Sequence, residues 1–405
     1  MNISGFPKQR HIVFIGRDDT GKSALINALA GRDASIAKDV PEAKGNKTKK
    51  MIELSPYGAA ALVDTAGIED ENDFGKKRIS KTLKAIAEAD VAVVVLDARE
   101  KLTKEEIELF VFLNKIKLPF VIAVNKIEFG INPELLKDIE ELKVVHFEIS
   151  IKEDAGLDVF RSRLIRLLPE DKEIPLVNNL VKQGDIVLCV VPANSGIKEE
   201  QLIHQQIQTM REALDKQAVL VVTRINELKT VLSKLSGGPD LVITDSRIIR
   251  DVLKEIPDNL RLTTFAILYA RQKGSLSMFI EGLKYVNKLK DGDKVLIAEA
   301  CTEHPLGDDL GRVKIPTWLK EYTEKNLEFD IKSGADLPEN LSSYNLIIHC
   351  AGCRLAREAM LSRLKLAALL DIPVVNYGIL VSYIHGAIPR ALLPFEEAIN
   401  IYNNY

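Results

Sequence analysis

Apolar residues in this chain fall into short unbroken runs separated by longer stretches in which they recur every third or fourth position. Short runs rich in valine and isoleucine read as strands buried on both faces, and the recurring pattern reads as helices with one buried face. In the first part of the chain, residues 11–15, 59–63, 91–96 and 120–124 read as strands, with helices over 22–30 and 104–115. Strands alternating with helices imply a parallel sheet joined by right-handed crossovers. Ligands of such sheets bind beyond the carboxyl ends of the strands.

The pattern breaks at a polar stretch, 168–173, and then resumes. A second unit has strands over 185–191, 218–223 and 241–244 and helices over 199–216 and 226–235. A third begins near 260, with a helix over 277–289 and strands over 294–300, 344–349 and 372–376. The expected fold class is α/β in three domains: 1–170 with a parallel-rich sheet, 171–260 and 261–405. No internal repeat, low-complexity tract or heptad pattern interrupts this reading.

Composition changes the picture only by exclusion. With 46% hydrophobic and 28% charged residues and a formal net charge of -3, the chain has no electrostatic bias toward polyanions, so nucleic acid is not an expected partner. Residues 1–10 lack the apolar stretch of a secretion signal, and no apolar run approaches the ~20 residues that span a bilayer. A cytoplasmic location without membrane contact is expected. Four cysteines, Cys189, Cys301, Cys350 and Cys353, are too few for a disulfide framework and suggest metal or redox chemistry instead.

Directly after the first strand stands Gly16-Arg17-Asp18-Asp19-Thr20-Gly21-Lys22-Ser23, a full phosphate-binding loop followed by a helix. Its glycines let successive N–H groups turn inward onto phosphate oxygens, and the helix N-terminus adds partial positive charge. Lys22 is expected to reach the β and γ phosphates and Ser23 to hold Mg²⁺. Asp64-Thr65-Ala66-Gly67 follows a later strand, with a carboxylate for Mg²⁺ and an N–H for the γ-phosphate. Asn125-Lys126-Ile127-Glu128 ends the fourth strand, where a carboxylate can accept two parallel hydrogen bonds from guanine that adenine cannot donate. A strand-like stretch over 144–148 then leads to Ser150-Ile151-Lys152, suited to backing the base.

In order and spacing these elements resemble the translation-factor class of GTPases, particularly the subgroup containing the tRNA-modifying GTPase MnmE and the ribosome-associated Era. The resemblance implies a GTP/GDP site with Mg²⁺, and K⁺ as a further cation beside the phosphates. Three positions depart from the family pattern. Glu128 replaces the usual Asp, residues 41–46 replace a Gly-Thr-Thr stretch so that Thr48 is the nearest hydroxyl, and Asp19 stands where several relatives place Asn. Ile68 follows Gly67, so the water-orienting Gln of the Ras group is absent and unaided hydrolysis is expected to be slow.

Cys301-Thr302-Glu303-His304 and His349-Cys350-Ala351-Gly352-Cys353 each follow an apolar strand. Strand ends of a parallel sheet share one edge, so three thiolates can converge there, with Gly352 allowing a tight wrap. Three cysteines with an exchangeable further ligand fit a [4Fe–4S] cluster; thiolates with histidine equally suit Zn²⁺. Cys189 lies within an apolar run and reads as a core residue, and His11, His146, His204 and His385 stand apart from the cysteines.

The joint pattern, running over essentially the whole chain, resembles the GTPase family that matures [FeFe]-hydrogenases, the HydF family. The resemblance implies that Cys301, Cys350 and Cys353 hold a [4Fe–4S] cluster, with His304 or His349, or Glu303 as a rival, as the exchangeable ligand. It implies a middle domain that makes a homodimer, and partners in the HydE- and HydG-type radical maturases and apo-[FeFe]-hydrogenase, to which a di-iron precursor is delivered. The competing expectation is a tRNA-modification or ribosome-assembly GTPase with a zinc-binding C-terminal domain.

Overall fold

The computed structural model describes residues 9–31, 38–40, 49–54, 58–65, 81–169, 174–177, 179–192, 200–300, 310–334, 336–352 and 355–404. Two compact units result, Met1–Asp171 and Lys172–Tyr405.

The first unit holds a seven-stranded sheet of β1 (Arg10–Ile15), β2 (Lys38–Val40), β3 (Lys49–Leu54), β4 (Gly58–Asp64), β5 (Val91–Asp97), β6 (Phe120–Asn125) and β7 (His146–Ile149), ordered β2-β3-β4-β1-β5-β6-β7. From β4 to β7 neighbours run parallel, and β2 and β3 add an antiparallel edge. That edge was not legible as strand, because Lys49–Leu54 mixes charged with apolar residues and is only partly buried. By contrast, every residue of β5, Val-Ala-Val-Val-Val-Leu-Asp, is buried, as a strand covered on both faces requires.

Helices Lys22–Gly31 and Leu157–Leu167 press Leu25, Leu29, Phe160 and Leu164 onto Ile12, Phe14, Val93 and Val121 of the sheet. Burying each such side chain contributes about 1.5–3 kcal/mol, so this layer fixes β1 and the loop that leaves it. Helix Lys104–Lys115 starts with a capping box in which Thr103 and Glu106 exchange side-chain and backbone bonds.

The second unit contains two all-parallel sheets. One comprises β8 (Ile186–Val191), β9 (Val219–Arg224), β10 (Leu241–Thr244) and β11 (Leu262–Thr264), ordered β11-β10-β8-β9. The other comprises β12 (Lys294–Glu299), β13 (Glu328–Ser333), β14 (Leu346–His349) and β15 (Val374–Asn376), ordered β13-β12-β14-β15. β11 belongs to the earlier sheet although it lies past residue 260; its two threonines keep it from reading as an apolar run.

The stretch expected as one helix over 277–289 is shorter. Helix Leu276–Leu283 is capped by Ser275, and Val286–Lys288 then tightens into a 3-10 turn that buries Val286. Gly282 is required where this helix crosses β15, since a Cβ there would meet the Val374 carbonyl oxygen at 2.1 Å. Cys189 of β8 is fully buried, and burial pushes its thiol up to about 12, the environment expected of a core residue. Among the described residues no helix is long and apolar enough to cross a membrane.

Candidate nucleotide and cysteine sites

Every described nucleotide motif lies at or just beyond a carboxyl end of the first sheet. The phosphate loop leaves β1, Asp64 ends β4, Asn125 ends β6 and Ser150 follows β7. Register explains the convergence: Phe14 of β1 pairs with Asp64, and Asp97 of β5 pairs with Asn125.

Within the loop, Lys22 is buried and its ammonium donates to the carbonyls of Gly16 at 2.9 Å and Arg17 at 2.6 Å. The loop backbone thus holds the lysine as a bridge across its own mouth. Ser23 donates its hydroxyl to Asp64, which joins the two residues expected around Mg²⁺. Thr20 is buried and closes onto the Arg17 carbonyl at 2.9 Å. Gly16 and Gly21 leave no room for a side chain: a Cβ would meet the Val95 oxygen at 2.3 Å in one case and Asn125 Nδ2 at 2.4 Å in the other. Gly21 also has φ +98, which other residues rarely adopt.

Asn125 donates to the Thr20 carbonyl at 2.9 Å, so the guanine motif and the phosphate loop are one bonded body. Lys126 reinforces this by donating to the Asp19 carbonyl and, at 2.8 Å, to Asp97. Arg99 grips the same Asp97 carboxylate through Nε at 2.9 Å and Nη2 at 2.7 Å. The Arg99 bonds first, and Lys126 after burial's opposing effect, hold Asp97 well below the usual carboxylate range.

Glu128 accepts a hydrogen bond from Ser150, which lowers its pKa and keeps it an anion, the form a guanine N–H pair needs. Lys152 and Arg99 both lie over the exposed Phe129 ring, each 5.4 Å from its centroid. Ile151 packs against the core of the sheet.

The fit to a nucleotide rests on what the protein leaves unsatisfied. Asp64 Oδ1, Asn125 Oδ1 and Glu128 Oε2 are buried and have no hydrogen-bond partner among the described residues. A buried acceptor without a donor is destabilising, and these three sit at the positions assigned to Mg²⁺ and guanine. Thr48 and Gly67 lie outside the described residues.

Three groups here were not singled out by the sequence. Asp97 is the hub described above. Arg17 donates to the fully buried Glu106 at 3.0 Å and pairs with Glu100 at 2.5 Å, tying the phosphate loop to the cap of helix Lys104–Lys115. The signal for Glu106 was present in the Thr103-to-Glu106 spacing of a capping box, which did not foretell its second partner.

Of the cysteines expected to bind metal, Cys350 is described, and it lies at the carboxyl edge of the last sheet, directly after β14. β12 and β14 are neighbours, with Ala298 opposite His349, and the Cys350 N–H continues the ladder to the Ala298 carbonyl at 2.9 Å. Cys350 Sγ accepts from the Ala300 N–H at 3.2 Å and the Gly352 N–H at 3.4 Å. Ala300 immediately precedes Cys301 in the chain, and its bond to Cys350 joins the residues that follow β12 and β14. Gly352 has φ +63, and a Cβ on it would come within 2.3 Å of Met360 Cε. Cys301, Glu303, His304 and Cys353 themselves lie outside the described residues. Among the described residues no three His, Cys, Asp or Glu side chains are grouped to hold a metal.

His349 is buried and both its ring nitrogens are engaged, Nδ1 with the Cys350 carbonyl at 2.7 Å and Nε2 with Arg363 Nη1 at 2.8 Å. Arginine can only donate, so Nε2 accepts and Nδ1 carries the proton. Burial, and then the Arg363 charge, push His349 down to about 4, so the ring is neutral. Beside it Arg312 grips Glu299, the last residue of β12, at 3.2 and 2.8 Å, and Ser333 donates to the same carboxylate at 2.7 Å.

A phosphate-loop sequence, the bonded pair Ser23 and Asp64 and a guanine-motif sequence at the carboxyl ends of parallel strands mark a GTPase domain, followed along the chain by two further sheets. Residues 11–126 match a family model described as 50S ribosome-binding GTPase. Residues 176–274 match the hydrogen maturase F dimerization domain, and residues 277–394 match the hydrogen maturase F tetramerization domain. With both of these models matched in sequence order behind a GTPase domain, the chain belongs to the hydrogen maturase F family.

Among curated proteins, the tRNA modification GTPase MnmE of Thermoanaerobacter sp. (strain X514) is 32% identical over 177 residues, 43% of this chain and 35% of that protein. GTPase Der of Natranaerobius thermophilus is 29% identical over 215 residues, 50% of this chain and 48% of that protein. The chain thus spans half or less of the curated relatives it matches. Among solved structures, Era from Aquifex aeolicus aligns over 54% of this chain and 93% of its own, at 18% identity and a TM-score of 0.33.

Proposed function

We propose that the chain is a GTP-hydrolysing scaffold of [FeFe]-hydrogenase maturation, holding a [4Fe–4S] cluster with an exchangeable further ligand and passing a di-iron precursor to apo-hydrogenase. The observation that carries the reading is the hydrogen bond from the Ala300 N–H to Cys350 Sγ, made by the residue that precedes Cys301 in the chain. Two backbone N–H donors to one sulfur favour a thiolate, the ligand form that iron requires. Cys301, Cys350 and Cys353 would hold the cluster, and the cluster would supply an iron open to a bridging ligand. His349 is already engaged at both nitrogens, so the exchangeable position falls to His304 or Glu303 rather than to His349.

In the first unit Lys22 would neutralise the β and γ phosphates, Ser23 and Asp64 would hold Mg²⁺, and Glu128 would select guanine. K⁺ would lie beside Asp19. With Ile68 where the Ras group has glutamine, turnover would be slow unless a cation or partner assists, which suits a conformational timer. The chain would work as a homodimer or higher oligomer in the cytoplasm, with HydE- and HydG-type radical maturases and apo-hydrogenase as partners.

Anaerobic reconstitution with iron and sulfide, followed by EPR of the reduced protein, tests the reading. A [4Fe–4S] signal that changes on adding imidazole or cyanide is expected. Tight zinc with no iron uptake would overturn it and favour a tRNA-modification or ribosome-assembly GTPase.

A further inference from the structure

Two side chains of the phosphate loop are aimed by one backbone carbonyl. Lys22 donates to the Arg17 carbonyl at 2.6 Å and Thr20 donates to the same oxygen at 2.9 Å, while Lys22 also donates to the Gly16 carbonyl at 2.9 Å. The Arg17 side chain points the other way, out of the loop. Its Nε donates to Glu106 Oε1 at 3.0 Å and its Nη2 pairs with Glu100 at 2.5 Å. Arg17 is thus held at both ends, by the loop through its carbonyl and by the start of helix Lys104–Lys115 through its guanidinium.

Glu106 is fully buried, and a buried carboxylate persists only where a cation and hydrogen bonds offset its lost hydration. Its second oxygen, Oε2, accepts from the Thr103 N–H at 2.9 Å, so the helix cap holds the carboxylate still. Capping does not call for the charge, because glutamine closes the same box. Arg17 does call for it. The phosphate loop is therefore braced against the first turn of a helix that carries none of the nucleotide motifs. A lysine held in place before its ligand arrives gives up little side-chain freedom on binding, so such a brace acts on affinity.

We propose that Arg17 and Glu106 are positioning residues of the phosphate site: the pair fixes the Arg17 carbonyl and, through it, the ammonium of Lys22, so that its effect on nucleotide affinity is exerted on the phosphates and not on the base. This rests on the reading of Lys22 as the phosphate lysine given above.

The test uses the full chain and measures GTP and GDP affinity by competition with a fluorescent guanine nucleotide. The variants are Arg17→Ala, Glu106→Gln, Lys22→Ala and Glu128→Ala, and the doubles of Glu106→Gln with each of the last two. Glu106→Gln, which preserves the cap, is expected to weaken GTP binding roughly three- to tenfold, and Arg17→Ala at least as much. Its loss is expected to multiply with that of Glu128→Ala and to shrink toward nothing on Lys22→Ala, a pattern that general loosening of the domain would not produce. An undiminished further loss on Lys22→Ala, or unchanged affinity in Glu106→Gln, would overturn the proposal. Should Arg17→Ala fail to fold, the two Glu106→Gln doubles decide. Wild-type affinity in Lys22→Ala alone would refute the phosphate role of Lys22 itself, and the brace with it.

Discussion

The nucleotide motifs and Cys350 occupy equivalent places, the carboxyl ends of parallel strands in the first and last sheets, yet their surroundings follow opposite polar logic. At the first edge the protein leaves Asp64, Asn125 and Glu128 each with a buried acceptor lacking a partner. At the second, the charged groups find partners within the protein: Arg312 with the Glu299 carboxylate, and Arg363 with the neutral His349 ring and the Gly334 carbonyl. A site for a ligand rich in donors and cations is legible from vacant acceptors. The proposed cluster at the second edge would call instead for donors aimed at sulfur, as the Ala300 and Gly352 N–H groups are at Cys350, because thiolate ligation needs little from the surrounding oxygens.

The contrast can be broken most sharply at Cys350. Cys350→Ser is expected to abolish cluster assembly while GTP hydrolysis stays near wild type, checked by iron content and phosphate release on one preparation. Coupled loss of both would show that the two edges are not chemically separate. Next in size, Lys22→Ala removes the charge bridging the loop mouth, and turnover should fall on the order of 10²-fold with iron content unchanged. A variant with wild-type turnover would remove Lys22 from the phosphate site.

Glu128→Ala should weaken GTP binding roughly tenfold or more while affecting ITP, which lacks the exocyclic amine, less. Equal losses for both nucleotides, measured by competition, would mean that Glu128 does not read the base. A smaller effect is expected for Gly352→Ala. Left-handed backbone with a Cβ costs about 1–2 kcal/mol, and Met360 must also move aside. Thermal unfolding should drop modestly and cluster occupancy with it; an unshifted transition would show that the turn can relax.

The smallest test concerns acid. Asp97 has its folded pKa depressed, so its contribution to stability is present above the unfolded value and fades as pH falls through the folded one. Asp97→Asn should therefore narrow the stability gap between neutral and acidic pH, read from unfolding midpoints across that range.

How much of this was visible in the sequence follows from the same contrast. β5 and β8 were legible because burial on both faces makes them continuous apolar runs. β3, β11 and β13 were not, because half-exposed or threonine-bearing strands lose that signature. Motif residues such as Lys22, Asn125 and Glu128 carry their chemistry in their spacing. Asp97, Arg17 and Arg363 do not, since each also takes a partner that folding brings from another segment: Lys126, Glu106 and His349. Arg363 left a faint trace, a charge in the Met360-to-Ala367 helical stripe, that could have marked it.

The claim on which the account turns is that Cys301, Cys350 and Cys353 together bind one cluster. Iron and acid-labile sulfide measured on the reconstituted wild type and on each single Cys→Ser variant test it directly. The account predicts a full [4Fe–4S] complement in the wild type and its loss in all three variants, with Cys189→Ser unaffected. Full iron and sulfide in any of the three, or zinc in place of iron, would contradict it.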